Sequence, residues 1–389
     1  MTFFWALLCW IAATSLTLLG QTPTQQNLAQ GPSQWPDISA KPFDLVVPAM
    51  EDAAPASGKR VRATLPGYGH AGVYHALYLP RDWVPGKRFP VIVEYAGNGP
   101  YRNKYGDVSD GTVEGAVMGY GLSGGEGYIW ISLPFVDAAR TKNQTTWWGD
   151  VSTTLSYCRE ALDDVFGRWG GDREAVLLAG FSRGAIACNY LGLQNDAAAK
   201  PWRAFFAHSH YDGVRQWNYP GSDRTSAIER LGRLHGRPVW VSHEGGSAAP
   251  GADAVAATKA YLESTGIDLS AFTFRLIPLR NHTGAWLLQD SPERATARKW
   301  LREVMAGPVT VPIQGPGARM AITSIESRVD EIEWESRALA KRMKATVIHP
   351  RDGLQSGSQT QVLWLLHGRG RDHRSLLQLP EVKRQLLAS

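Results

Sequence analysis

Glu174-Ala175-Val176-Leu177-Leu178-Ala179-Gly180-Phe181-Ser182-Arg183-Gly184-Ala185-Ile186-Ala187-Cys188 joins three readings in fifteen residues. The uninterrupted apolar run is the mark of a strand buried on both faces. The small and apolar residues that close it suit a helix packed close against a sheet. Between them lies Gly180-x-Ser182-x-Gly184. Glycines two before and two after a serine permit a sharp strand-to-helix turn, which lifts the hydroxyl clear of the sheet and aims the next helix N-terminus at it. Ser182 is the candidate nucleophile.

The pattern alone is weak. Gly121-Leu122-Ser123-Gly124-Gly125 fits it too. That copy has no strand before it and no helix after it, and is expected to be a glycine-rich loop ahead of a strand at Tyr128–Leu133. Only Ser182 has the strand–turn–helix context that gives the motif its mechanical meaning.

The 389 residues exceed one ordinary domain. A hydrophobic share of 43% and a charged share of 20% describe a globular chain. The net charge of +5 is small for this length, and from residue 307 onward twelve Lys and Arg face eight Asp and Glu, so most of the excess is C-terminal. With no basic stripe interleaved with aromatics, a nucleic-acid partner has little support. Phe3 to Leu19 is apolar and uncharged. Residues 1–20 are expected to be a signal peptide, which makes the protein secreted or periplasmic, or an uncleaved anchor, the one route to a membrane partner. No Lys or Arg precedes the apolar stretch. Cys158 and Cys188 fall on predicted helices flanking the Ser182 strand. They are either a disulfide or two separate buried thiols. No Cys/His cluster has metal-ligand spacing, and no metal or organic cofactor is expected.

Residues 21–58, rich in Gln, Pro, Ala and Ser, are expected to be a flexible linker in which Phe43–Val47 docks locally. A hairpin follows, Val61–Leu65 and Val73–Leu79 around Pro66-Gly67-Tyr68-Gly69. Phe89–Tyr95 is a strand running into Ala96-Gly97-Asn98-Gly99-Pro100. From Tyr128, strands and helices alternate: a helix from Val151 to about Trp169, the Ser182 strand and its helix, Trp202–His208, a helix at Thr225–Leu234, Pro238–Ser242, a helix at Ala254–Ser264, Phe272–Pro278 and a helix at Pro292–Met305. This order predicts an α/β fold with a mostly parallel sheet, helices on both faces and right-handed crossovers. Ligands in such sheets bind at the carboxyl ends of strands. Ser182, the Gly97–Gly99 loop, Glu244 and His282 all come just after strands, hence on one edge.

On these features residues 59–306 resemble an α/β-hydrolase catalytic domain. The elbow Gly180–Gly184, the glycine loop after an earlier strand and the histidine after the last strand match in order. The resemblance implies a serine hydrolase acting on carboxylic esters, with the triad order nucleophile, acid, histidine. A serine hydroxyl needs an adjacent base. Of ten histidines, His282 alone follows a C-terminal strand in that order. His208, His210 and His243 also lie near strand ends, as substrate contacts or satisfied polar groups. The acid is open: Glu244 almost at its strand end, Asp253 near the next helix where capping also accounts for it, and Asp212 as a third option. The usual family spacing points near Ser247, between the first two. The family implies oxyanion donors from the Arg183 N–H and from the 96–98 loop, at Gly97 and Asn98, each contributing about 3 kcal/mol to transition-state stabilisation. Trp147-Trp148 are candidate substrate-binding rings for a sugar or aromatic acyl group, or else a hydrophobic anchor. The 15 Trp make a carbohydrate-linked ester a substrate worth testing beside small-molecule esters. A peptidase on the same fold and a non-catalytic binding protein on a degenerate hydrolase fold are the rival readings.

Residues 307–318 form a Pro/Gly linker. Beyond it, strands are expected at Glu331–Leu339, Arg342–His349 and Gln361–Leu366, the last running into His367-Gly368-Arg369-Gly370. Residues 319–389 thus resemble the opening of an esterase D-like domain, an incomplete, β-rich second hydrolase-like segment without its own elbow. Either the sequence is part of a longer protein with two hydrolase domains, which is the preferred expectation, or the segment is an addition packed on the first domain.

Overall fold

The computed structural model describes residues 35–68, 72–245 and 251–306, with 251–253 as backbone only. It also describes the backbone of 321–326, 329–336 and 341–348. The apolar N-terminal stretch, the 307–318 linker and the Gln361–Gly370 segment lie outside these residues.

The main sheet has nine strands: β1 (Met50–Glu51), β2 (Arg60–Ala63), β3 (His75–Tyr78), β4 (Phe89–Tyr95), β5 (Ile129–Leu133), β6 (Gly171–Phe181), β7 (Ala204–His208), β8 (Val239–Glu244) and β9 (Phe272–Ile277). Their spatial order is β1-β2-β3-β5-β4-β6-β7-β8-β9. From β5 to β9 every pairing is parallel, and β3 is antiparallel to both β2 and β5. The chain goes from β4 outward to β5, then returns past β4 to start β6 on the other side. The direction of winding therefore reverses between β4 and β6, the position at which such sheets open a crevice at the carboxyl ends of their strands.

Side chains alternate across a strand, so each central strand feeds two cores. Val176 and Leu178 face one side with Val91, Val93 and Val241. There they meet α2 (Val151–Arg168), α3 (Arg183–Tyr190), α5 (Arg224–Leu231) and α6 (Gly251–Thr265), α4 (Asp196–Ala199) being a single turn between α3 and β7. Leu177 and Ala179 face the other side with Ile92, Phe206 and Trp240, against α1 (Met118–Ser123) and α7 (Pro292–Ala306). The tryptophans largely build these cores: Trp130, Trp240 and Trp286 are at most 2% exposed, and Trp240 stacks on Phe206 at 5.2 Å.

Several expectations are revised. The linker predicted over 21–58 does not extend through its second half, because residues 35–47 form a strap across the loop and helix that follow β9. Ile38 N–H donates to Asn281 Oδ1, Arg280 N–H to the Pro36 carbonyl, and the Asp44 and Leu45 N–H groups to the Leu288 carbonyl. Two ion pairs, Asp37–Arg280 at 2.6 Å and Asp44–Arg294 at 2.8 Å, lock it. The second G-x-S-x-G copy is not a loop. Ser123 ends α1, and Gly124 supplies the left-handed residue that stops it, at φ 67°. Cys158 and Cys188 are separate buried thiols, both pushed up by burial, Cys158 to about 12. At the C-terminal end, Ala321–Glu326, Val329–Ser336 and Lys341–Ile348 form an antiparallel three-stranded sheet. No helix among the described residues is long and apolar enough to cross a membrane.

Candidate active site

β6 ends at Phe181 and α3 begins at Arg183, so Ser182 alone makes the turn, at φ 53° and ψ −113°. That backbone is strained for a residue with a side chain. Its N–H is held by the His208 carbonyl at 2.9 Å. The flanking glycines are there for space. A Cβ on Gly180 would stand 2.0 Å from the Gly184 carbonyl oxygen, and one on Gly184 would stand 1.8 Å from that of Tyr95. The turn closes only because both are absent.

His282 comes from the loop after β9. Its Nε2 lies 3.0 Å from Ser182 Oγ, and its Nδ1 lies 2.6 Å from Glu244 Oε1. The carboxylate fixes the tautomer: Nδ1 carries the proton and Nε2 is left to accept from the serine hydroxyl. Glu244 is the last residue of β8, two beyond the predicted end of that strand. Burial pushes the Glu244 carboxyl up, but its hydrogen bond to and charge interaction with His282, aided by His208 and the Ser209 hydroxyl, outweigh this and hold it well below the usual range. Asp212 is turned to a different task, paired through both oxygens with buried Arg230 at 2.8 and 3.1 Å. Asp253 is the third residue of α6.

Three residues of the site carried no individual signal in the sequence. Ser209, just past β7, donates its hydroxyl to Glu244 Oε2 at 2.6 Å. Asp107, on the two-stranded ribbon Tyr101–Arg102/Val108–Ser109, accepts the His282 N–H at 2.8 Å and the Asn281 side-chain amide at 2.7 Å. The Arg183 side chain runs back into the protein, 1% exposed. Ser209 shares the strand-end position of the predicted residues and was findable on that ground. Asp107 lies in an irregular stretch with no periodicity.

His208 and His243 are satisfied polar groups. His208 bridges Ser242 Oγ and the Thr283 carbonyl, and His243 meets Thr258 Oγ1. His210 instead presents its ring to His282 at 5.5 Å and to Trp217 at 5.4 Å. The two tryptophans separate. Trp148 is 4% exposed and stacks on Tyr190 at 4.5 Å, so no face of it is open to a substrate. Trp147 is half-buried, with its ring 5.7 Å from Trp217. Among the described residues no group of His, Cys, Asp and Glu is arranged to hold a metal.

The sheet order, the elbow at the β4/β6 reversal and the helices on both faces define an α/β-hydrolase fold. No protein-family model matches the chain, and no curated protein sequence does. Solved structures do. A thermostable esterase is 14% identical with a TM-score of 0.40, the match covering 63% of this chain and 62% of that one, so the chain spans less than two thirds of its length. An α/β hydrolase from a Medee basin deep-sea metagenome library is 13% identical with a TM-score of 0.41, covering 64% and 99%. The acylaminoacyl peptidase of Pyrococcus horikoshii is 13% identical with a TM-score of 0.39, covering 63% and 40%.

Proposed function

We propose that this chain is a serine hydrolase that cleaves carboxylic esters through an acyl-enzyme intermediate, with residues 59–306 as its catalytic unit. One observation carries the reading: the unbroken relay from Glu244 Oε1 through His282 to Ser182 Oγ, with contacts of 2.6 and 3.0 Å. Ser182 Oγ attacks the ester carbonyl while His282 Nε2 takes its proton. The imidazolium, stabilised by Glu244, returns that proton to the departing alcohol. Water then attacks the acyl-enzyme by the same route, releasing the acid and restoring Ser182. The developing oxyanion is met by the Arg183 N–H at the start of α3 and by an N–H of the 97–98 loop. The Trp147 ring, half-buried beside Trp217 and Tyr219, supports a flat acyl group or a sugar on the alcohol side. The uncharged N-terminal stretch supports export.

The test uses the full chain, with p-nitrophenyl esters from acetate to octanoate and a fluorophosphonate probe. Ester cleavage that disappears in Ser182→Ala, with the probe mapped to Ser182, supports the reading. Equal activity in Ser182→Ala, or labelling at another residue, overturns it. Faster turnover of peptide amides than of esters would make the protein a peptidase. No turnover and no labelling would leave a binding protein on a hydrolase fold. Glu244→Ala and Asp253→Ala, each alone, identify the acid.

A further inference from the structure

The Arg183 guanidinium is buried without a carboxylate to match it among the described residues. What it touches instead is main chain. Nη1 donates to the Trp147 carbonyl at 2.7 Å, and Nη2 donates to the carbonyls of Gly97 at 2.8 Å and Gly111 at 3.2 Å. The plane lies over the Phe135 ring, 3.9 Å from its centroid. Burial pushes the group down to about 9, which leaves it charged at neutral pH. An unpaired buried charge is costly and is retained only where its hydrogen bonds compensate. Here those bonds gather three separate loops beneath the nucleophile.

The contact with Gly97 has a geometric consequence. A trans peptide unit is planar, with its C=O and N–H pointing in opposite directions. Fixing the Gly97 carbonyl on Nη2 therefore fixes the direction of the Asn98 N–H, which has no acceptor among the described residues. The loop is closed a second time. Asn98 Oδ1 accepts the Trp147 N–H at 2.7 Å, while the Trp147 carbonyl is held by Nη1 of the same arginine. Trp147 sits at φ 52°, a strained setting for a bulky residue, and is gripped on both of its peptide groups. Gly97 has no room for a side chain, since a Cβ would stand 2.9 Å from Phe181 Cδ1.

We infer that Arg183 is a positioning residue for both oxyanion donors: its backbone N–H is one of them, and its guanidinium, through Gly97, aims the other, the Asn98 N–H. This rests on the ester-hydrolase reading of the site.

The full chain is compared with Arg183→Lys, Arg183→Met and Asn98→Ala. Sites are counted by fluorophosphonate titration run to completion, and steady-state hydrolysis of p-nitrophenyl butyrate is measured per titrated serine. Affinity for an alkyl trifluoromethyl ketone, whose adduct with serine carries the oxyanion, is the second readout. Arg183→Met is expected to lower kcat per titrated serine about 100-fold, with KM within about threefold and ketone affinity falling in step. Arg183→Lys keeps the charge but not the fork, and recovers only part of the loss. Asn98→Ala cuts the other arm of the clamp without opening the core. It moves kcat and ketone affinity in the same direction, and so carries the test if Arg183→Met does not fold. Unchanged kcat per titrated serine, or a fall in kcat with ketone affinity unchanged, overturns the inference, since a buttress of the core alone would lower only the titre. A wild-type chain that neither hydrolyses esters nor reacts with the probe fails at the earlier reading and takes this inference with it.

Discussion

Ser209 Oγ lies 2.6 Å from Glu244 Oε2, on the oxygen that His282 does not use. The carboxylate is thereby held at both ends, and its plane cannot rotate away from the imidazole. Ser209 is in the left-handed region at φ 78°, a conformation that costs stability and is kept here where the hydroxyl meets Glu244.

Ser209→Ala is expected to lower kcat/KM about tenfold. A hydrogen bond to a charged group is typically worth about 1.5–3 kcal/mol, and its loss leaves Oε2 without a side-chain donor among the described residues. Steady-state hydrolysis of a p-nitrophenyl ester measures this. A change of less than twofold would show that His282 alone orients the carboxylate.

Asp107 acts on the other side of the histidine. It accepts the backbone N–H of His282 and the amide of Asn281, so the ribbon inserted after β4 is tied to the loop after β9. Asp107→Ala leaves the His282 N–H unmatched, leaves the Asn281 amide only its 3.5 Å contact with Asp37 Oδ2, and frees the loop. Small displacements of a general base are expensive, and kcat is expected to fall at least tenfold. Asp107→Asn keeps one acceptor oxygen and should lie between. If Asp107→Ala retains wild-type kcat, the ribbon only covers the loop.

The β2–β3 hairpin was legible from the turn cluster between its strands, the parallel strands because buried ones are written as apolar runs, and the places of Ser182 and His282 because they follow from strand order. The acid was left open among Glu244, Asp253 and Asp212. Choosing between them needs the end of β8, which depends on pairing with β9 and not on local pattern. What the sequence left dark has a common cause. Asp107, the Arg183 guanidinium and the 35–47 strap all act through contacts between segments far apart in the chain, and of the strap composition marked only Phe43–Val47 as a segment that docks. Trp147 and Trp148 are adjacent and alike in sequence. In the fold Trp147, at φ 52°, lies beside Trp217, while Trp148 is buried against Tyr190.

Gly245, directly after Glu244, tests the strap. A Cβ there would stand 2.2 Å from Trp35 Cδ1, so any side chain must displace that ring. Gly245→Ala is expected to destabilise the protein by about 1–3 kcal/mol, a fall of several degrees in Tm. Made in a Trp35→Ala background the same substitution should cost little, and thermal unfolding of the four proteins in that cycle gives the coupling. Equal penalties in both backgrounds would locate the strain elsewhere.

The response to acid follows from four histidines that burial holds below their usual value, His75, His208, His210 and His243, and the first two show how. His75 and His208 are at most 1% exposed, and burial pushes each down to about 4, against the weaker upward pull of Asp164 on His75 and of Glu244 on His208. Between pH 6.5 and 4 the unfolded chain binds a proton at each site and the folded chain does not. Stability therefore rises with pH across that window, by up to about 1.4 kcal/mol per pH unit for each histidine. The contribution is fully present above pH 6.5 and is lost as pH falls toward 4, below which both states are protonated and the slope flattens. Glu244, held below its usual range, adds a further loss in the same direction at lower pH. His75 meets the Tyr157 hydroxyl at 2.9 Å and lies far along the chain from the relay, so His75→Gln removes one of these titrations without touching His282. Urea unfolding between pH 5 and 7 should show the pH slope reduced in that variant by one histidine's share, up to about 1.4 kcal/mol per pH unit. An unchanged slope would mean that His75 is already protonated in the folded state.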